Sequence, residues 1–122
     1  MLSVIRLTGL RSRGILPQRG EVWWVRLDPT LGSEIAKTRP CVVLSSTVIN
    51  ERRKTVVVVP LSTAPRANPP LLVPVRAAGR DVVAVTDQIR AVSKERLERC
   101  VDVLSGEHLE AIERAVRDIL EL

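Results

Sequence analysis

Apolar residues come in short, β-branched runs through the first three quarters of the chain: Gly20 to Leu27, Pro40 to Thr47, Thr55 to Leu61, Leu71 to Arg76 and Val82 to Val92. Each run is bounded by Pro, Gly, Asn or charged residues, which predicts successive strands joined by turns. No long helical period separates them, and parallel pairing would need helical crossovers. The expected fold is therefore mainly β within an α+β chain: a small SH3-like antiparallel barrel of five or more strands. The period then changes. Leu109, Ile112, Val116, Ile119 and Leu120 recur every three or four residues with charged residues between them, predicting a C-terminal amphipathic helix. Ser105 is its expected N-cap, and Glu107 suits the positive end of its dipole. A shorter turn is expected after Ser93, running from Lys94 to Leu97.

Neighbouring residues of a strand point to opposite faces, so Trp23 and Trp24 belong to different surroundings. Trp23 shares a face with Val25 and Leu27 and is assigned to the barrel core. Trp24 shares one with Val22 and Arg26 and is assigned to a subunit contact or a partly covered surface. The chain has no Phe and no Tyr, so it lacks the row of aromatics on which sequence-tolerant single-strand binders stack bases. RNA binding, if any, is expected to rely on hydrogen bonds and charge.

Composition adds limits. With 122 residues, 45% of them hydrophobic and 27% charged, one folded domain is expected. Its bounds are taken as residues 18–122, after a flexible basic extension over 1–17. The longest apolar run, near Val56 to Leu61, falls far short of the ~20 residues that cross a bilayer, and the leader has no clean hydrophobic stretch. A cytoplasmic protein without a membrane association is expected. Cys41 and Cys100 are too few for a disulfide framework or a zinc knuckle, and are expected to be buried thiols. The net charge of +5 is unevenly spread: residues 1–94 hold 15 Lys or Arg against 6 Asp or Glu, residues 95–122 hold 4 against 8. The basic part should meet a polyanion.

Two connections are long and polar. The first, Asp28 to Arg39, is a twelve-residue link carrying Ser33, Glu34 and Lys37; the second, Ser62 to Pro70, carries Thr63, Arg66 and Asn68. Links of that length are often functional, and both can lie at one end of the barrel. Cleaving RNA without a metal requires activating the 2′-OH, neutralising the phosphorane and protonating the leaving oxygen. A histidine pair within one chain is excluded, because His108 is the only histidine; it is read as a first-turn helix residue. Arg39 is the candidate for the phosphate, since its guanidinium engages two oxygens and stays charged. Ser62 and Thr63 stand where a strand runs out and can donate to that phosphate. Glu34 can accept a proton or a base-edge hydrogen bond.

These residues also form a recognisable series. Arg19-Gly20-Glu21-Val22-Trp23-Trp24-Val25, Asp28-Pro29-Thr30, Gly32-Ser33-Glu34, Thr38-Arg39-Pro40, Val58-Val59-Pro60-Leu61-Ser62-Thr63 and Thr86-Asp87-Gln88-Ile89 stand in the order and spacing of the MazF and PemK toxin family, which the chain resembles over about residues 18–122. The resemblance implies a sequence-specific, metal-independent endoribonuclease of a toxin–antitoxin pair. It implies a homodimer that cuts single-stranded RNA and leaves a 2′,3′-cyclic phosphate or 3′-phosphate, with no cofactor. It further implies that Arg39 and Thr63 are catalytic and that Ser33, Glu34 and Gln88 line the RNA groove, where Lys37, Ser62 and Arg66 are added as RNA contacts. An antitoxin with an acidic tail should fill the basic groove. Arginine is too weak a base to take the 2′-OH proton, so Arg39 is assigned to charge stabilisation and Glu34 or solvent to the proton.

Three other readings compete. A non-enzymatic toxin of the same fold, of the gyrase-inhibiting kind, is recognised by a tryptophan near the C-terminus, and this chain ends Asp118-Ile119-Leu120-Glu121-Leu122. A metal nuclease would use Asp81, Asp87 and Glu34. A plain SH3-like nucleic-acid-binding module would bind RNA without cutting it.

Overall fold

The computed structural model describes residues 16–27, 32, 37–63 and 66–122. Seven strands run in the order β1 (Glu21–Arg26), β2 (Thr38–Val43), β3 (Thr55–Ser62), β4 (Leu72–Ala77), β5 (Arg80–Val85), β6 (Arg90–Ser93) and β7 (Leu97–Val103). Among the described residues two α-helices accompany them: α1 (Thr47–Arg52) after β2 and α2 (Gly106–Leu120) at the end. Every pairing is antiparallel, and the sheet order is β4-β5-β3-β2-β1-β7, with β6 also on β3. The curled antiparallel sheet with a C-terminal helix is the expected architecture.

β3 is the hub. One edge pairs with β2; the other pairs with β6 from Thr55 to Val58 and with β5 at Leu61 and Ser62. The carbonyl of Val57 accepts from the Leu44 N–H on the β2 side, so by alternation the even-numbered positions of β3 face the β6 and β5 edge. Pro60 falls in the gap between those two partners, where its missing N–H deprives no ladder of a bond.

Both faces of β2 and β3 are buried over these stretches, which is why Cys41-Val42-Val43-Leu44 and Val56 to Leu61 read as continuous apolar runs instead of alternating. On one face Val22, Val42, Leu44, Val59 and Leu61 pack with the β4–β5 hairpin and with Ile112 and Ala115 of α2. On the other, Val25, Leu27, Cys41, Val43, Val56, Val58, Val92 and Leu97 form a second cluster. Trp23 lies half-buried against this second cluster, as the strand alternation requires, and its indole N–H donates to the buried Glu21 carboxylate at 2.9 Å.

Ser105 caps α2 as expected, its Oγ accepting from the His108 N–H at 3.1 Å. The helix begins tightly against β1: Gly20 has φ +91°, and a Cβ there would stand 3.3 Å from Leu109 Cδ2. Ser93 caps the 3-10 turn Lys94–Arg96, close to the turn expected there.

Four expectations need correction. The second run ends as a strand at Val43, because Ser46 Oγ accepts from the Val48 N–H and starts α1. The fifth run is two strands, broken by the 3-10 turn Thr86–Gln88. β7 was not anticipated; its register with β1 shifts twice, leaving Val101 and Glu98 as extra residues that destroy the period of two. Cys41 is buried as expected, but Cys100 is exposed on β7. Residues 1–15 of the expected extension lie outside the described residues.

Ile112 is fully buried where α2 meets the sheet. Ile112→Ala should lower stability by about 2–5 kcal/mol, read as a reduced urea midpoint with an unchanged m-value.

Candidate functional site

The register of the central strands decides which loop ends meet. β1 and β2 align Trp24 with Pro40 and Val25 with Arg39, while β2 and β3 align Cys41 with Pro60. Continued two and three residues further, the second register brings Arg39 level with Ser62 and Thr38 level with Thr63, on strands ~4.8 Å apart. The ends of both long connections therefore converge. The first connection is closed at its base, where the Leu27 N–H donates to the Lys37 carbonyl at 2.9 Å. Lys37 itself has φ +69°, a left-handed conformation that lets the chain enter β2 at a sharp angle.

The β4–β5 hairpin covers this end of the sheet. Its two-residue turn, Ala78-Gly79, has φ +53° and +75°, the backbone that matches the twist of paired strands. Three contacts fix it. The Ala78 N–H donates to Asp102 Oδ2 on β7 at 2.6 Å, and Arg76 pairs with Asp81 at 2.7 Å and donates to the Gly79 carbonyl. The backbone N–H of Arg76 donates to His108 Nδ1 at 3.2 Å, so the single histidine has a structural part, as expected.

Between sheet and hairpin lies a pocket of 270 Å³. Its floor is apolar, formed by Val22, Leu61, Val82 and Val101, with Trp24 and Pro40 as a wall; its polar residues are Thr38, Arg39, Thr63 and Arg80. Among the described residues no Asp, Glu, His or Cys lines it. The guanidinium of Arg99 sits 5.7 Å from the centre of the Trp24 ring, within cation–π range. The result is a small, largely apolar cleft with two arginines and two threonines among its lining residues, a composition suited to a group that is part flat hydrophobe and part anion.

The anticipated residues divide as follows. Arg39 and Thr63 line one pocket. Ser62 ends β3, half-buried and opposite Val83, and Lys37 is exposed at the start of β2. Arg66 is exposed and Gln88 closes the 3-10 turn beside α2; neither lines the pocket. Ser33 and Glu34 lie outside the described residues. Trp24, assigned beforehand to a subunit contact or partly covered surface, is the half-buried pocket wall. Arg80 was missed, although Ala78-Gly79 between two apolar runs is a hairpin signal that would have placed it beside Ala77.

Arg39, two residues from Cys41 on β2 and level with Val25, shares the Cys41 face of the sheet while also bordering the pocket at the end of the strand. Burial pushes the Cys41 thiol from its ordinary value of 9.0 up to about 12, and the charges of Arg90 and Arg39 offset only part of that rise. Cys41 is therefore a protonated, inert part of the core at neutral pH.

Comparison with known proteins places this geometry among relatives. Residues 18–120 match the family described as PemK-like, MazF-like toxin of type II toxin-antitoxin system. The endoribonuclease toxin MazF of Escherichia coli K12 is 37% identical over 78 residues, covering 64% of this chain and 69% of the relative. The crystal structure of MazF from Deinococcus radiodurans superposes with a TM-score of 0.81 at 21% identity, over 88% of this chain and 99% of that one. A mycobacterial endoribonuclease solved in complex with its cognate antitoxin superposes with a TM-score of 0.71 at 24% identity, over 87% and 96%.

The two thiols should separate cleanly in solution. Native protein at pH 8 is expected to titrate one thiol per chain with a soluble disulfide reagent, Cys100, and two after denaturation. Because the folded chain holds the Cys41 proton more tightly, its contribution to stability is intact below about pH 9 and declines as pH rises toward about 12. Two fast-reacting native thiols would contradict the burial.

Proposed function

Because the chain belongs to the PemK-like, MazF-like toxins of type II toxin–antitoxin systems, we propose that it is an endoribonuclease toxin that cuts single-stranded RNA, such as mRNA, at a short sequence without a metal. The observation that carries this reading is that Arg39 and Thr63, from separate connections, line one cationic pocket.

In the proposed reaction the 2′-OH attacks the adjacent phosphorus, the P–O5′ bond breaks, and the products are a 2′,3′-cyclic phosphate, open to hydrolysis to a 3′-phosphate, and a 5′-OH. Arg39 holds the non-bridging oxygens as negative charge grows on the phosphorane, and the Thr63 hydroxyl donates a hydrogen bond to the same group. The 2′-OH proton passes to Glu34 or to water, and the leaving O5′ takes up a proton from water to become the 5′-OH. Lys37, Ser62 and Arg66 are assigned as contacts to the RNA backbone, and Ser33 and Gln88 as contacts to bases. Support for arginine-based charge neutralisation comes from the lining itself, which offers cations and hydroxyls and no carboxylate among the described residues.

The same reading includes a homodimer and an antitoxin. The mycobacterial relative was solved with its cognate antitoxin, and here the excess of Lys and Arg before residue 95 suits an acidic segment that competes with RNA. The expected setting is the cytoplasm; no helix among the described residues is long and apolar enough to cross a membrane.

Purified protein should cut a long single-stranded transcript in EDTA, at sites mapped by the new 5′ ends. Arg39→Ala should keep its fold and lose about 100- to 1,000-fold in rate. Cleavage that needs added Mg²⁺, or a fully active Arg39→Ala variant, would refute the mechanism; RNA binding with no cutting would favour a plain binding module.

A further inference from the structure

We infer that the Trp24 pocket seats one nucleobase next to the scissile phosphate, an assignment that rests on the ribonuclease reading above. Four observations carry it. Arg39 and Thr63 of the proposed reaction centre border the pocket, Arg39 from the end of β2 on the neighbouring face, so a phosphate held there leaves the base of its own nucleotide, or of the next, within reach of the cleft. Its wall is the indole of Trp24, with the Arg99 guanidinium 5.7 Å from the ring centre; indole and guanidinium are the two planar surfaces on which single-stranded bases stack. Its volume, 270 Å³, falls just under the ~300 Å³ at which pockets begin to enclose drug-sized ligands, which suits a single ring system. Thr38 and Thr63 are among its lining residues, and a threonine hydroxyl can donate to or accept from a base edge.

This changes one expectation drawn from the sequence. The absence of Phe and Tyr argued that RNA would be held by hydrogen bonds and charge, yet one tryptophan placed beside the reaction centre is enough to bind one base by its face. Trp23 provides an internal contrast. It packs against the core cluster of the other sheet face and donates to Glu21, so it should not respond to RNA.

The competing occupant is an apolar side chain from an acidic antitoxin segment. The apolar floor would accept it, but the guanidinium over the indole and the position beside Arg39 and Thr63 favour a base.

The test uses the full chain and an RNA spanning a mapped cleavage site, with a 2′-O-methyl group at that site so that it binds without being cut. This RNA should quench tryptophan fluorescence in the wild type and in Trp23→Phe, and not in Trp24→Leu. On the cleavable RNA, Trp24→Leu should lower kcat/KM by about 5- to 150-fold, carried mainly by KM, and Trp24→Phe should recover most of the loss. Replacing bases one at a time by abasic sites should reveal one position that costs the wild type a similar factor and costs Trp24→Leu nothing further. A Trp24→Leu variant that melts normally and cleaves with an unchanged KM would overturn the assignment. So would abasic losses that multiply with the mutation at every position, or a variant that binds RNA normally but loses a synthetic acidic peptide bearing one leucine. If the wild type cuts nothing, quenching through Trp24 by a random 2′-O-methyl RNA pool still supports the base pocket while the ribonuclease reading falls, and no quenching removes both.

Discussion

The structure depends on β3 being satisfied on every side at once. Its two edges engage β2, β6 and β5, and its two faces feed separate apolar clusters. A strand so enclosed cannot slip, because a shift of one residue would exchange the two clusters, Val56 and Val58 against Val59 and Leu61. That fixed register does more than hold the core. It sets where β3 stops, at Ser62, against where β2 starts, at Thr38, and so brings Thr63 to the same cleft as Arg39. The polar site follows from apolar packing several residues away.

How much of this could be read from the sequence varies with the interaction that decides each element. β1, β3 and β4 were legible because Pro, Gly and charge punctuate them, and α2 because its face is set by local period and a serine cap. β7 was not. Its two bulges against β1 put Leu97, Cys100 and Val103 out of simple alternation, and bulges arise from the partner strand, which a single run of letters does not show. The short helix α1 was hidden in the same way, behind an apolar run that continues past the point where Ser46 turns the chain.

The candidate site shows the same division. Arg39 and Thr63 were recognisable individually, as charge and hydroxyl at strand ends, and their convergence needed the register of three strands. Trp24 was harder: alternation correctly put it on the face away from Trp23 but could not reveal that the β4–β5 hairpin roofs that face. Local sequence says which side a residue takes; tertiary packing says what waits there.

That roof is held by an arrangement that couples fold and site. Asp102 accepts from the Ala78 N–H and also from the Val103 N–H at 2.7 Å, so one carboxylate on β7 fastens a turn whose first residue, an alanine at φ +53°, is itself uncomfortable. The strain is tolerated because the hairpin's apolar residues, Val73, Val75, Ala77, Val82 and Ala84, are buried against the sheet. Moving the turn outward would break that anchor and open the cleft between Arg80 and Arg39. The negative charge that holds the roof therefore stands outside the pocket lining, in the acidic last quarter of the chain, while the arginines line the cleft. Carboxylates do not secure the scaffold alone, since Arg76 braces the same hairpin through Asp81 and the Gly79 carbonyl; what the fold separates is the lining of the cleft, where arginines and no acids stand among the described residues.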